Sequence, residues 1–369
     1  MKKRVLSVIA LLLSLTMFVV GCSSGSKSEE SAEKAESADD KSGAITVAYK
    51  AAPPNLDSDQ STDWTVTAVM NHVYEGLYEF NASSEAVPHL AKSCDIENDG
   101  KTYVFHLREG VLFHDGSEMK AEDVKASFDR WFAVNEMGIS VSEYVDSVDV
   151  VDDYTVSVKL NSVYAPFLNV IASPTSNQKM VVRPASLIEK YGNDVLEEHI
   201  GTGPYKFDSW VPDASVKLVK FDDYVPVEGE ASGFAGERVA YANEINIQFV
   251  TDESVRVSGL ETGEFMFAEE ISQDKYSQVE SSENTVPQIM DSDVEGMLTF
   301  NCGAAPFDDL NARKAVAIGL DLEELGTAQI GDEKFWSLDG CLFDKSTVWY
   351  DENAGEGVYA KNDIELAKE

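Results

Sequence analysis

Apolar side chains recur in this chain at two spacings that take turns along its length, and that alternation restricts the fold more than any other feature. Ile45-Thr46-Val47-Ala48-Tyr49 alternates as a strand does, and Pro53 and Pro54 end the run because neither can donate to a ladder. Val66, Val69, Met70, Val73 and Leu77 then recur at helical spacing, with Asp63 placed as a cap and Gly76 near the end. Tyr103, Phe105 and Leu107 return to period two, closed by Arg108-Glu109-Gly110, and Phe113-His114-Asp115-Gly116 reads as a turn. Val124, Phe128 and Trp131 at i, i+4 and i+7 mark one buried helix face. Val145 to Val151 and Tyr154 to Leu160 flank Asp152-Asp153 as a hairpin. Gly201-Thr202-Gly203-Pro204 reads as a tight turn feeding a strand at Tyr205, and Ile245, Ile247 and Phe249 alternate. A short strand is expected at Leu298-Thr299-Phe300, a helix over Ala312 to Leu320, and the start of an amphipathic helix over Asp363 to Glu369. Strands and helices interleave without a fixed repeat, which favours an α/β or mixed two-lobe architecture.

The chain has 369 residues, enough for two to three domains, and its apolar fraction of 43% supports a sizeable core. With 29 Lys and Arg against 66 Asp and Glu, the net charge is −37, which disfavours nucleic-acid binding because that needs clustered cations. The amino terminus departs from this balance. Lys2, Lys3 and Arg4 precede an uncharged run from Val5 to Val20, a pattern of export signals and too short for a spanning helix. Val19-Val20-Gly21-Cys22 resembles the lipobox of bacterial lipoproteins, which implies a signal peptide over 1–22 and lipidation of Cys22. Residues 23–43 are rich in Ser and acids, with no aromatic or β-branched residue, and read as a disordered tether reaching roughly 25 Å.

Catalytic patterns are missing from the sequence. His72, His89, His106, His114 and His199 are scattered without HExxH or HxH spacing, so structural roles are expected for them and no metal site is assigned. Acidic pairs such as Glu197-Glu198 and Glu269-Glu270 are what this acid density produces by chance. No GxSxG elbow occurs, and Gly201-Thr202-Gly203 lacks the following helix that a phosphate cradle needs. Export permits disulfides, and Cys94, Cys302 and Cys341 allow one pair and a spare; Cys302–Cys341 is one possibility among them. By elimination the chain reads as a binding module.

Longer motifs carry a family resemblance. Val87-Pro88-His89-Leu90-Ala91-Lys92-Ser93, followed by Asn98-Asp99-Gly100-Lys101-Thr102-Tyr103-Val104-Phe105-His106-Leu107-Arg108-Glu109-Gly110-Val111, resembles the signature of extracellular solute-binding proteins of ABC importers, peptide/nickel class. Phe113-His114-Asp115-Gly116, Ala121-Glu122-Asp123-Val124, Phe128-Asp129-Arg130-Trp131 and Gly201-Thr202-Gly203-Pro204-Tyr205 follow in the family's order. Leu260-Glu261-Thr262-Gly263-Glu264, Asn301 with Pro306-Phe307, and Arg313-Lys314-Ala315 complete the series. Two positions depart from the pattern: Lys120 stands where a capping Thr is common, and Met266 where Asp is usual. Family members are also longer, so the chain is expected to be carboxyl-terminally truncated.

The resemblance implies a two-lobe, periplasmic-binding-protein-like α/β fold with a subdomain inserted in the first lobe. It places the first lobe at 44–262, the insertion at about 62–185, and an incomplete second lobe at 263–369. It implies a monomeric, non-enzymatic protein without cofactor, lipid-anchored on the extracytoplasmic face of the membrane, that captures oligopeptides or dipeptides for an ABC permease. A peptide-sensing receptor on the same scaffold, and binding of nickel or another solute, stay open as alternatives. Peptides in such clefts resemble an added strand. The loop leaving the first strand then supplies Gln60, Ser61 and Thr62 as hydrogen-bonding groups and Trp64 as an apolar wall, unless Trp64 is core of the following helix. Asn301 and Cys302 are the candidates from the second lobe.

Overall fold

The computed structural model describes residues 43–174, 179–290 and 297–369. The expected signal peptide, Cys22 and almost all of the tether lie outside the described residues. The chain opens with β1 (Ala44–Tyr49), α1 (Trp64–Met70), β2 (Tyr78–Phe80), β3 (Ala86–Pro88), β4 (Ala91–Glu97) and β5 (Thr102–Leu107). Then come α2 (Ala121–Val134), α3 (Glu136–Ser142), β6 (Val145–Asp152), β7 (Thr155–Leu160), α4 (Phe167–Ala172) and α5 (Ala185–Tyr191). β8 (Tyr205–Val211), β9 (Ser215–Lys220), β10 (Glu244–Phe249), α6 (Glu253–Thr262) and β11 (Phe267–Ala268) follow. The remaining described elements are helical: α7 (Gln273–Ser281), α8 (Leu310–Gly319), α9 (Leu322–Gln329) and α10 (Ile364–Lys368).

Two main sheets organise these elements. One has the order β11-β1-β10-β9-β8, with β1 parallel to both β10 and β11 and the β10-β9-β8 part antiparallel. The other, β4-β5-β7-β6, is wholly antiparallel. Each sheet has its own core. Trp131, Phe105, Phe128 and Phe167 lead a cluster drawn from residues between Leu77 and Val182. Val66, Val69, Met70, Tyr74, Val216, Leu218 and Ile247 lead the second, beneath the five-stranded sheet. The antiparallel sheet and its core thus come from a stretch lying between β1 and β8 in sequence.

The expected strands at β1, β5, β8 and β10 form, and the hairpin pairs β6 with β7 around Asp152 and Asp153. Val124, Phe128 and Trp131 face the core together, as their spacing requires. Lys120 gives α2 no side-chain cap; instead the Asp123 carboxylate accepts from Lys120 N at 2.8 Å.

Three expectations need correction. Asp63 does cap α1, accepting from Thr65 N at 2.7 Å, but the helix stops at Met70, short of Gly76. The His72 and Val73 carbonyls, which a longer helix would use, accept from Tyr205 N at 3.1 Å and Gly203 N at 2.9 Å. Val73 and Leu77 are nonetheless fully buried, so the apolar period marked core rather than helix length. Leu298-Thr299-Phe300 forms no strand: Leu298 is exposed, and no strand pairs with this segment among the described residues. A lone strand leaves its backbone groups unpaired. Finally, Cys94, Cys302 and Cys341 are all free thiols, so the possible Cys302–Cys341 bridge is not present. The helix at the end does form as α10, capped by Asp363 and packed on α8.

Candidate functional site

The carboxyl ends of the parallel strands β1, β10 and β11 meet at one edge of the five-stranded sheet, where α/β folds present ligand loops. The loop leaving β1, residues 50–63, contains no helix or strand, yet Leu56, Asp57, Ser58, Asp59 and Ser61 are buried. Its backbone is satisfied largely from within, Asp57 N donating to Asn55 Oδ1 and Asp59 N to Asp57 Oδ1, while distant segments hold its buried side chains.

Two guanidiniums grip the loop. Arg130, on the inner face of α2, donates through Nη2 to Asp57 Oδ2 at 2.5 Å and through Nε to Asp59 Oδ2 at 3.2 Å. It also donates to the carbonyls of Gly192 and Asp194. Arg183, just before α5, donates to Asp59 Oδ2 at 2.8 Å and to Ser58 Oγ at 2.7 Å, and lies over the Tyr74 ring at 4.5 Å. Asn135 Nδ2 donates to the Asp59 carbonyl, and Leu196 N to Asp57 Oδ2. Burial pushes the Asp59 carboxyl above its ordinary value, with Arg183 pulling the other way. Burial likewise pushes Tyr74 up to about 12. Tyr74 OH meets His199 Nδ1 at 3.3 Å, and burial brings that histidine down to about 4.

This clamp displays Gln60 to Trp64. Gln60 Nε2 donates to the Asn193 carbonyl at 2.9 Å, and Ser61 Oγ accepts from Asp63 N at 3.2 Å. Ser61 is therefore buried and used locally, whereas Thr62 and Trp64 face outward. Trp64 is 55% exposed as the first residue of α1, so it is not core of that helix. Asn301 and Cys302 lie in a separate exposed turn, in which Asn301 Oδ1 accepts from Gly303 N at 3.0 Å. Gln60, Ser61, Thr62 and Trp64 are thus neighbours of which Ser61 turns inward and Thr62 and Trp64 face out; Asn301 and Cys302 belong to a different segment.

Sequence reasoning missed the clamp itself. Asp57, Asp59 and Arg183 are not among the expected site residues, and Arg130 is only part of the motif Phe128-Asp129-Arg130-Trp131. A signal did exist: Arg130 precedes the core residue Trp131 on α2, and Arg183 ends the apolar run Met180-Val181-Val182. Charges embedded in apolar runs are rarely buried unless paired.

A second polar cluster ties the antiparallel sheet's stretch to the five-stranded sheet. Glu75 accepts from His89 Nε2 at 2.9 Å, Thr202 Oγ1 at 2.8 Å and Tyr224 OH at 2.8 Å. Burial alone would raise its carboxyl, but the bonds from His89 and Thr202 and the charge of Arg238 hold it down at about 2. Nearby, Lys179 Nζ pairs with both oxygens of Glu79 at 2.8 and 2.9 Å.

A cavity beside the clamp, lined by Ser58, Thr67, Asn71, Tyr74 and Lys179, measures about 10 Å³, room for a single water. An open hollow of about 470 Å³ lies between Pro166 and Asn169 on one side and Phe343 and Trp349 on the other. Among the described residues no group of three or more His, Cys, Asp or Glu is placed to hold a metal ion. No helix among them is long and apolar enough to cross a membrane.

Known proteins share this organisation. Residues 85–369 match the family described as "Bacterial extracellular solute-binding proteins, family 5 Middle". The glutathione-binding protein GsiB of Pectobacterium atrosepticum is 30% identical over 275 residues, covering 73% of this chain and 50% of its own length. The chain thus spans about half the length of that curated relative. The periplasmic binding protein DppA of Helicobacter pylori, solved with the peptide STSA, superposes with a TM-score of 0.66 at 25% identity, over 88% of this chain and 65% of its own. The substrate-binding protein CtaP of Listeria monocytogenes gives a TM-score of 0.69 at 22% identity, over 88% and 64%. These superpositions confirm the expected two-lobe α/β fold class. With the family matched over residues 85–369, the chain belongs to the bacterial extracellular solute-binding proteins of family 5.

Proposed function

We propose that this chain is part of the lipid-anchored, extracytoplasmic solute-binding component of an ABC importer, which captures short peptides and passes them unaltered to a membrane permease. The observation that carries the reading is the loop Asn55 to Trp64, fixed by buried ion pairs at the carboxyl edge of the parallel strands in a chain of this family. Such a loop presents hydrogen-bonding groups and one aromatic face, which suits the holding of a small solute. GsiB is a glutathione-binding protein and DppA was solved with the peptide STSA, and both ligands are short chains of amide units. For such a ligand, Gln60, Ser61, Thr62 and Trp64 form the first-lobe side of the cleft, with Asn301 and Cys302 as contributors from the second.

The division into a first lobe over 44–262, an insertion at about 62–185 and a second lobe from 263 belongs to the same reading. What supports it is the separate core of the antiparallel sheet, although α1, at the start of the insertion, packs into the other core. Export and acylation of Cys22 follow from the amino-terminal pattern, with residues 23–43 as the tether.

The test is to purify the complete protein from membranes without added ligand, denature it, and identify released molecules by mass spectrometry. Short peptides at about one per protein are expected. Recovery of a metal chelate or a non-peptide solute in that proportion would overturn the peptide assignment, and hydrolysis of added peptides would overturn the non-enzymatic one.

A further inference from the structure

Binding loops are ordinarily mobile and surface-bound, and ordering them on ligand capture costs conformational entropy. The loop Asn55 to Trp64 departs from this pattern. Leu56, Asp57, Ser58 and Asp59 are buried, although no strand or helix supports them from within. Their polar partners come from far along the chain: Arg130 and Asn135 around the α2–α3 junction, Arg183 ahead of α5, and the Gly192–Leu196 turn. Two carboxylates face two guanidiniums, so the cluster is neutral and every charge in it is buried.

The cluster is not arranged for stability alone. A fully buried ion-pair network of this kind is one that apolar side chains of similar volume can replace without loss of stability. What apolar packing cannot supply is direction. The forks of Arg130 and Arg183 fix two successive carboxylates and Ser58 at defined angles, immediately before the outward-facing Thr62 and Trp64.

We infer that Arg130 and Arg183 are positioning residues: they hold the loop from Asn55 to Trp64 in its solute-meeting conformation, so that affinity depends on side chains which never touch the solute. The solute arm of this inference rests on the peptide-binding function proposed above. The loop arm does not. A loop ordered beforehand loses less freedom on capture, and affinity rises accordingly.

Hydrogen–deuterium exchange on the full chain tests the loop arm. In Arg183→Met the amides of residues 57–63 are expected to exchange about tenfold faster, while strands β4 to β7 keep their protection. The double variant Arg183→Met/Asp59→Asn removes the unpaired buried charge and serves as the folding control; its loop is still expected to exchange faster, because the Arg183 fork is absent. Affinity for tetra-alanine or glutathione is expected to fall about tenfold in both variants, with partial recovery in Arg183→Lys. Unchanged loop exchange in Arg183→Met, or full recovery of exchange and affinity in the double variant, overturns the inference. If the native chain binds neither probe while its loop responds as expected, the loop assignment stands and the peptide-binding function is what fails.

Discussion

Arg183 Nη1 donates to Asp59 Oδ2 at 2.8 Å, joining segments 124 residues apart in a site with no solvent access to either side chain. Arg130 completes the arrangement from α2. Removing one member of such a set strands a charge in low dielectric. Arg130→Met is therefore expected to lower unfolding free energy by about 3–5 kcal/mol, read from urea denaturation. The comparison is Lys125→Met on the same helix. Lys125 pairs with Asp129 at the surface, where solvent screens the interaction, and stability there should stay within error. Equal losses in the two variants would contradict the assignment of the Arg130 pairs as buried and essential.

Acid should unfold the protein through groups whose folded values are depressed. Burial holds His72, His114 and His199 at about 4 against an ordinary 6.5, and the Glu75 carboxyl sits at about 2 against 4.5. Between pH 6.5 and 4 the unfolded chain takes up about one proton per histidine that the folded chain refuses, so stability falls as pH falls. Glu75 adds the same sign lower down: its stabilisation is complete above pH 4.5 and is lost as pH drops toward 2. Urea midpoints measured from pH 7 to pH 4 should decline steadily. Burial raises the Asp59, Asp123 and Glu269 carboxyls, which act in the opposite sense, so the histidines are also read directly: an NMR titration placing them near 6.5 in the folded chain would contradict this account.

The turn Gly201–Pro204 passes so close to the end of α1 that two glycines are obligatory. A β-carbon at Gly201 would lie 2.0 Å from the Val73 carbonyl oxygen, and one at Gly203 would lie 2.5 Å from that of His72. Both contacts are with backbone, which cannot step aside as a side chain can. Gly201→Ala is expected to cost at least about 3 kcal/mol in thermal unfolding, whereas Gly110→Ala, where nothing lies within 4 Å, should cost only the strain of its positive φ.

Period-two and helical spacings revealed most of the scaffold because they report burial, and burial decides which segments become strands and helices. β5, α2, the β6–β7 hairpin and β10 were legible for that reason. Length was less legible: α1 stops at Met70 because the Gly201–Tyr205 turn takes the His72 and Val73 carbonyls, a contact that no local pattern encodes. Strands β3 and β4 were not legible, because β3 is three residues long and β4 is exposed on both faces along most of its length, so neither alternates. At the candidate site the loop was visible from Pro53, Pro54 and its place after β1, but the clamp was not. Its partners, Asp59 with Arg130 and Arg183, are separated by 71 and 124 residues, and spacing rules reach only a few.

Membrane attachment has a direct check. Val19-Val20-Gly21-Cys22 supplies a thiol at the position that lipoprotein signals acylate, and several acyl chains anchor far more firmly than one. Cys22→Ala expressed in a bacterial host is expected to move the protein from the detergent phase to the aqueous phase on detergent partitioning, with the fold unchanged by circular dichroism. Detergent-phase recovery equal to that of the native chain would remove Cys22 from the account.

Trp64 separates a binding role from a packing role most cleanly. It is 55% exposed, and its neighbours Thr65, Val66 and Val69 already fill the underside of α1, so deleting the indole opens no cavity. Trp64→Ala is therefore expected to change unfolding free energy by less than about 0.5 kcal/mol. An aromatic wall against a peptide carries far more than that, since a buried indole face contributes through area and through contacts with amide and cationic groups. Peptide affinity measured by calorimetry should fall at least about tenfold, close to 1.4 kcal/mol. Stability and affinity then part company in one variant. A Trp64→Ala protein that loses stability but binds as before would return the side chain to a structural role and remove the aromatic wall from the proposed cleft.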